Sequence, residues 1–137
     1  MNLNECFRQG LLKKTSPDIE NARKSLHESK RNVSDAGKNL RIGCHNVVVI
    51  LSYTAMFHAA RGLLFKDGVK ERSHACIPIY IKERYPQLDK FADILDSYRI
   101  FRHRTIYGLE VLIDKTEAEE ALGAAKEFIR GIEKIID

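Results

Sequence analysis

Apolar residues recur at three- and four-residue intervals through most of the chain, which is the spacing of one face of an α-helix. The first long run follows Ser16-Pro17, a capping residue and first-position proline typical of a helix start, and Gly43 closes it. We therefore predict a helix over about 17–40. Its apolar positions are Ile19, Ala22, Leu26, Val33, Ala36 and Leu40.

The second run, from about 44 to 66, is apolar nearly all round at 47–51 and ends at Asp67-Gly68. Its stretch without charged residues, 43–60, is long enough to cross a membrane. Polar and amphipathic side chains within that stretch instead favour a helix buried among other helices, the central one of a bundle. They are His45, Asn46, Ser52, Tyr53, Thr54 and His58.

Two shorter segments have weaker patterns. The chain opens with an amphipathic stretch in which Leu3, Phe7 and Leu11 share one helical face. The segment 73–85 contains Pro78, which disrupts a helix interior, so we expect a loop with one or two turns there.

Two more long helices are predicted in the C-terminal half. One begins at Pro86, runs toward Tyr107 and ends near Gly108, with the stripe Leu88, Phe91, Leu95 and Tyr98. Thr116-Glu-Ala-Glu119 has the pattern of a capping box that opens the last helix. The apolar side of that helix carries Leu122, Ala125, Phe128, Ile129, Ile132 and Ile136.

These elements predict an all-α fold, because no β-type alternation is sustained over the length of a strand. We expect an antiparallel four-helix up-and-down bundle with an extra short N-terminal helix. A short helical or irregular segment would join its second and third core helices. At 137 residues the chain has room for one domain, 1–137, with its core at about 17–136.

Composition adds little about partners. Lys and Arg number 23 against 19 Asp and Glu, and a net charge of +4 is too small to imply nucleic-acid binding unless it is clustered. Cys6, Cys44 and Cys76 are widely spaced and form no C-x-x-C pair, so no disulfide is expected. Without a secretory signal in the opening residues, the expected location is the cytoplasm, away from membranes.

Arginine is clustered in the helix after Pro86. One more step along its apolar stripe reaches Arg102, and Arg99, Arg102 and Arg104 fall within six residues. Arg99, His103 and Tyr107 follow at four-residue steps, on one helix surface. Because guanidinium groups bind paired oxygens, the cluster predicts a phosphate or carboxylate site, with a nucleotide or RNA backbone as its ligand.

A simpler interpretation stays open for these arginines. The helix could end earlier or emerge from the core here, which would leave them solvated or paired with Glu110 or Asp114.

The central helix shows the same anomaly, since its stripe turns polar at His58 and Arg61. Both are binding candidates, although a single histidine on an apolar helix is more often a hydrogen-bonded structural residue. Ser73-His74 is similar, with a serine that can cap a turn and a histidine that can pack locally.

Metal and cofactor motifs are not found. Cys44-His45 and His74-Ala75-Cys76 lack the paired spacing of zinc ligands, so no metal site is predicted. A Gly-rich phosphate loop, a G-x-S-x-G elbow and an H-E-x-x-H helix are also missing, and no cofactor is expected.

Several strings together resemble the HEPN (higher eukaryotes and prokaryotes nucleotide-binding) superfamily, and in particular its small stand-alone prokaryotic branch. They are Ala22-Arg-Lys-Ser-Leu26, Ser52-Tyr-Thr-Ala-Met-Phe-His-Ala-Ala-Arg61, Ser73-His74 and the stretch from Arg102 to Tyr107-Gly108. The similarity spans about 17–136.

The resemblance implies a symmetric homodimer whose arginine motifs face one cleft. It also implies a metal-independent endoribonuclease in active members, where an Arg and a polar residue are followed by a His. Arg102-His103 matches the opening of that motif, but Tyr107 stands where the later His is expected. A minimal nucleotidyltransferase partner, which in some members modifies a tyrosine such as Tyr107, is a further implication.

Three functions follow as hypotheses. The first is a dimeric HEPN-like module that binds a nucleotide, RNA or a nucleotidyltransferase through an Arg-lined cleft, with little or no catalysis. The second is an endoribonuclease toxin of a toxin–antitoxin pair, with Arg102 as phosphate clamp and His103 as acid or base. The third is a purely structural dimer. The binding candidates are Arg99, Arg102, Arg104, Tyr107, His58 and Arg61.

Overall fold

The computed structural model describes residues 1–109 and 111–137. It is an all-α helical bundle with one small two-stranded sheet, which confirms the predicted fold class. The elements are α1 (Leu3–Arg8), β1 (Leu12–Lys14), α2 (Ile19–Arg41), α3 (His45–Asp67), β2 (Val69–Glu71), α4 (Cys76–Arg84), a 3-10 turn (Pro86–Leu88), α5 (Asp89–Tyr107) and α6 (Lys115–Ile136).

Helix α3 is the centre of the bundle, packed against α2, α5 and α6. It has the length and hydropathy of a membrane span, but 61% of its most apolar window is buried within the protein. Buried residues cover a wide arc of the helix, which includes Val48, Tyr53 and Leu64, and this explains much of its apolar sequence, whereas Val47 is 39% exposed. The interpretation of this segment as a core helix therefore agrees with the structure.

The helix starts differ from the predicted ones by a few residues. Asp18, not Ser16, caps α2, where its carboxylate accepts a hydrogen bond from the Asn21 backbone amide at 3.0 Å. The capping box of α6 joins Asp114 and Glu117, not Thr116 and Glu119. In both helices a carboxylate close to the predicted cap satisfies amides that lack an intrahelical partner.

The segment 73–85 is more regular than predicted, because α4 occupies nine of its residues. Pro78 is the third residue of α4, and a proline is tolerated there since the first turn's amides have no intrahelical acceptor. The structure thus has the helical alternative of the helical or irregular segment expected between the second and third core helices, and residues 73–75 form the turn before it.

The small sheet was not predicted. Strands β1 and β2 pair antiparallel, with Leu12 opposite Glu71 and Lys14 opposite Val69. Three-residue strands are too short to show alternation, and their pairing joins segments far apart in the sequence. The sheet brings the start of the chain onto the end of α3, which fixes the segment that leads to His74.

The cysteine prediction is wrong. Cys6 in α1 and Cys76 in α4 are both fully buried and joined by a disulfide, with Cα atoms 6.1 Å apart, whereas Cys44 is free and exposed. Sequence spacing cannot reveal a contact between residues 70 positions apart. Closing such a loop contributes about 4 kcal/mol in the chain-entropy description. The cysteines therefore no longer argue for a reducing compartment.

Candidate functional site

Arg102 lies in a contact between α5 and α3. Its guanidinium carbon is 5.8 Å from the centroid of the Tyr53 ring, close enough for a cation–π interaction. The side chain is half-buried, and its Nε is buried without a hydrogen-bond partner. Within the described residues, Arg102 forms no ion pair with a carboxylate. A half-buried cation without a partner is suited to an anionic ligand.

His74 lies beside this contact, in the turn that precedes α4. Its Nδ1 is 2.9 Å from the Tyr53 hydroxyl oxygen, and its ring stacks on Phe57 with centroids 4.2 Å apart and planes 19° apart. Two contacts thus hold the imidazole, one polar and one aromatic. Its other nitrogen, Nε2, makes no hydrogen bond with any described residue, and the side chain as a whole is exposed.

The environment keeps both rings neutral near pH 7. Partial burial of the ring against its neighbours lowers the pKa of His74, and the nearby Arg102 and Arg99 charges lower it further against the opposing Glu71 carboxylate. Burial also raises the pKa of Tyr53 to about 12, although Arg102 acts in the opposite direction. The hydrogen bond between them is therefore a bond between two uncharged groups.

Arg99 is on the same side of α5 as Arg102. Three residues along a helix bring side chains within about 60° of each other, and both arginines influence the pKa of Tyr53 and of His74. Arg99 is itself tied to Asp96, with Nε 3.0 Å from a carboxylate oxygen. The structure thus joins two of the predicted arginines at one surface, and of these Arg99 is the one with an ion pair among the described residues.

Phe57 separates this surface from a second group that contains His58 and Arg61. The Arg61 guanidinium lies over Phe57 and Phe65 at 5.9 and 5.4 Å, and its Nε is 3.0 Å from Glu71 Oε1. The Nε proton is not aligned with the carboxylate, so this contact is an ion pair and not a directed hydrogen bond.

His58 packs the edge of its ring against Phe57 with centroids 5.5 Å apart. Burial lowers the pKa of His58, opposed by the carboxylate of Glu28. His58 and Arg61 line a shallow groove of about 240 Å³ against α2. They are therefore neighbours of the Arg102 surface, with Phe57 between the two groups.

The remaining candidates lie at the exposed end of α5. Arg104 is two residues beyond Arg102, about 200° around the helix, and Tyr107 is 67% exposed. The His103 ring contacts Tyr107, with centroids 4.8 Å apart, which matches the predicted shared helix surface. The three arginines thus do not converge on one site within a single chain.

The simpler interpretation of these arginines is only partly testable. Glu110 lies outside the described residues, and Asp114 caps α6 without forming an ion pair to any of the arginines described. Helix α5 does not end early, since it continues to Tyr107.

The family model for the HEPN domain matches residues 12–135. The chain belongs to the HEPN family. This confirms the resemblance seen in the sequence and indicates a function related to nucleotides or RNA. A comparison with curated proteins finds no significant match.

The residues that complete this HEPN surface were not proposed as binding residues from the sequence. Tyr53 and Phe57 lie inside the string from Ser52 to Arg61, and His74 lies in Ser73-His74, so the strings that suggested the family contain them. These residues meet near Arg102 because α3, α5 and the turn before α4 pack together. The spacing of residues within one helix does not predict contacts between such distant segments. Among the described residues, no group of three or more His, Cys, Asp or Glu side chains is arranged to hold a metal ion.

Proposed function

We propose that this HEPN domain binds single-stranded RNA through its phosphate backbone at the surface formed by Arg102, Arg99, Tyr53 and His74. The half-buried Arg102 guanidinium carries this proposal, because its buried Nε has no hydrogen-bond partner among residues 1–109 and 111–137 and an anion would supply one. Aromatic rings beside a phosphate-binding arginine are typical of proteins that bind single strands. HEPN family membership is consistent with such a ligand.

We favour RNA binding over a catalytic reaction that uses only the Arg102, His103 and Tyr107 side chains of α5. Tyr107 and His103 contact each other at the exposed end of the helix, and Tyr107 lies about 140° around the helix from Arg102. A phenol is also a poor base at neutral pH. Within one chain, these two side chains therefore provide little support for the expected arginine and histidine chemistry.

We further propose that the domain acts as a homodimer. Large apolar side chains are exposed at the end of α5 and just after it, with Leu109 92% and Leu112 90% exposed. Exposed apolar side chains of this size are typical of an interface, and pairing there would bring two copies of α5, and with them two Arg102 side chains, toward each other. A nucleotidyltransferase partner, modification of Tyr107 and a cytoplasmic location stay predictions.

The binding proposal is tested with Arg102→Ala and a fluorescein-labelled 12-nucleotide RNA of mixed sequence, measured by fluorescence anisotropy. Loss of a charge-assisted contact predicts an affinity about 10- to 100-fold weaker. Arg130→Ala, an exposed arginine on α6, is the matched control and should bind as the wild type does.

Two outcomes would overturn the proposal. One is equal RNA affinity for the wild type and Arg102→Ala. The other is tight binding of AMP by the wild type together with no measurable RNA binding, which would assign the site to a free nucleotide. Unchanged affinity with weakened self-association in Arg102→Ala would favour the structural dimer.

A further inference from the structure

The Arg102 surface contains a histidine, His74, that comes from the turn before α4 and not from the motif on α5. We infer that His74 is a catalytic residue that accepts a proton during metal-independent RNA cleavage, with Tyr53 as its positioning residue. This inference rests on the proposed RNA binding at Arg102. It assigns the proton transfer to the turn before α4, and not to His103 or Tyr107 on α5.

The geometry orients the ring for this role. The stack on Phe57 and the 2.9 Å contact of Nδ1 with the Tyr53 hydroxyl fix the ring plane and leave Nε2 without a partner among the described residues. In the tautomer that has its proton on Nδ1, this N–H donates a hydrogen bond to the Tyr53 hydroxyl oxygen. The lone pair on Nε2 is then free to accept a proton. Because the Arg102 guanidinium carbon lies 5.8 Å from the centroid of the same Tyr53 ring, both groups lie at one surface.

The charged groups around His74 come from three elements. Arg102 and Arg99 approach from α5, Arg61 from α3 and Glu71 from β2, so arginines outnumber carboxylates. Burial and the arginines lower the pKa of His74, which leaves the imidazole neutral and able to accept a proton at pH 7.

The reaction balances without a metal or a redox partner. The 2′-hydroxyl oxygen of RNA bonds to the adjacent phosphorus as its proton passes to Nε2 of His74. The bond between phosphorus and the 5′-oxygen breaks, and that oxygen takes a proton from water. The products are a 2′,3′-cyclic phosphate and a 5′-hydroxyl, and the imidazolium returns its proton to solvent. Arg102 would stabilise the negative charge that grows on the phosphate oxygens.

The experiment separates cleavage from binding. Cleavage of the labelled RNA is followed in EDTA by gel electrophoresis, and binding is measured on a 2′-O-methyl RNA of the same sequence, which lacks the attacking hydroxyl. We expect His74→Ala to cleave at least about 100-fold more slowly, while its affinity for the 2′-O-methyl RNA falls far less because Arg102, which holds the phosphate, is unchanged. His27→Ala, an exposed histidine on α2, should cleave at the wild-type rate.

Two further readouts distinguish catalysis from a structural effect. For wild type, cleavage should fall with decreasing pH only below about 6.5, the ordinary pKa of histidine, because the pKa of His74 is lowered. Tyr53→Phe keeps the ring under Arg102 but removes the hydroxyl, so kcat should fall while KM changes little.

Different results would refute the catalytic role of His74 and the proposed RNA binding. Binding of RNA by the wild type without any cleavage in EDTA would overturn the role of His74 and leave RNA binding intact. Cleavage lost in His103→Ala but kept in His74→Ala would also overturn it. Absence of RNA binding in the wild type would instead refute the proposed function itself.

Discussion

Asp67, the last residue of α3, ties two tyrosines to the end of the central helix. Its carboxylate accepts hydrogen bonds from the Tyr80 hydroxyl at 2.7 Å and from the Tyr85 hydroxyl at 2.7 and 2.8 Å. Burial, together with these bonds to a carboxylate, raises the pKa of both tyrosines above its usual value of 10.0. The cluster therefore fastens the middle and the C-terminal end of α4 to the end of α3.

We predict that the free energy of unfolding falls as the pH rises above about 10. Unfolded tyrosines ionise near that pH, while Tyr80 and Tyr85 stay protonated in the folded protein until higher pH. The stability that they contribute is therefore complete below pH 10 and is lost above it. Urea unfolding from pH 8 to 11 measures this loss.

Tyr80→Phe combined with Tyr85→Phe should be less stable at pH 8 and should show a smaller alkaline loss. Tyr107→Phe, which removes an exposed hydroxyl, is the control and should follow the wild-type curve. An alkaline loss of equal size in the double variant would contradict the assignment to these two tyrosines.

At the scale of elements, the turn at Gly68 ends α3 and directs the chain into β2, which leads to His74. Gly68 ends α3 with φ at +75°, in the left-handed region that favours glycine. A Cβ atom built there would lie 2.5 Å from the Thr15 carbonyl oxygen and 2.9 Å from the Pro17 nitrogen. The turn thus needs glycine for its conformation and for the close approach of the chain before α2.

Gly68→Ala should lower the free energy of unfolding by about 2–3 kcal/mol, since it adds a backbone clash to the strain of a positive φ. Gly43→Ala is the matched control, because Gly43 has φ at +80° but open space around its Cβ position. Its loss should be about 1 kcal/mol. Urea unfolding of the two variants tests this, and equal losses would show that the contact with Thr15 and Pro17 contributes nothing.

At the scale of the whole molecule, the binding surface and the exposed apolar residues lie close in the sequence, on α5 and in the segment after it. Asn46 near the start of α3 donates a hydrogen bond to the Val111 carbonyl at 3.4 Å, which places this segment at that end of the bundle. The start of α2 is at the other end, where the Asp18 amide bonds to the Phe65 carbonyl.

We predict that the protein sediments as a dimer, at twice its chain mass of 15.7 kDa, at micromolar concentration. Leu109→Asp combined with Leu112→Asp should shift it to a monomer, because two charges would be buried without partners. Ile19→Asp, at the opposite end of the bundle, should remain a dimer. A wild type that sediments as a monomer in sedimentation equilibrium would contradict this prediction.

The fold could be predicted from local information. Helical spacing and turn residues located the four long helices because each depends on neighbours within a few residues. The boundaries at Asp18 and Asp114 differed because several nearby side chains compete to cap a helix. The sheet of β1 and β2 and the disulfide of Cys6 with Cys76 could not be predicted, since both join distant segments.

The sequence by itself determined the helical class, the central place of α3, the HEPN resemblance and the unusual position of Arg102. Tertiary structure alone decided what surrounds Arg102. It brought Tyr53, Phe57 and His74 to it, left Arg104 on another side of α5 and put Phe57 between Arg102 and Arg61. The physical reason is that helical periodicity fixes which face a residue occupies, whereas the packing of distant segments chooses the groups that meet there.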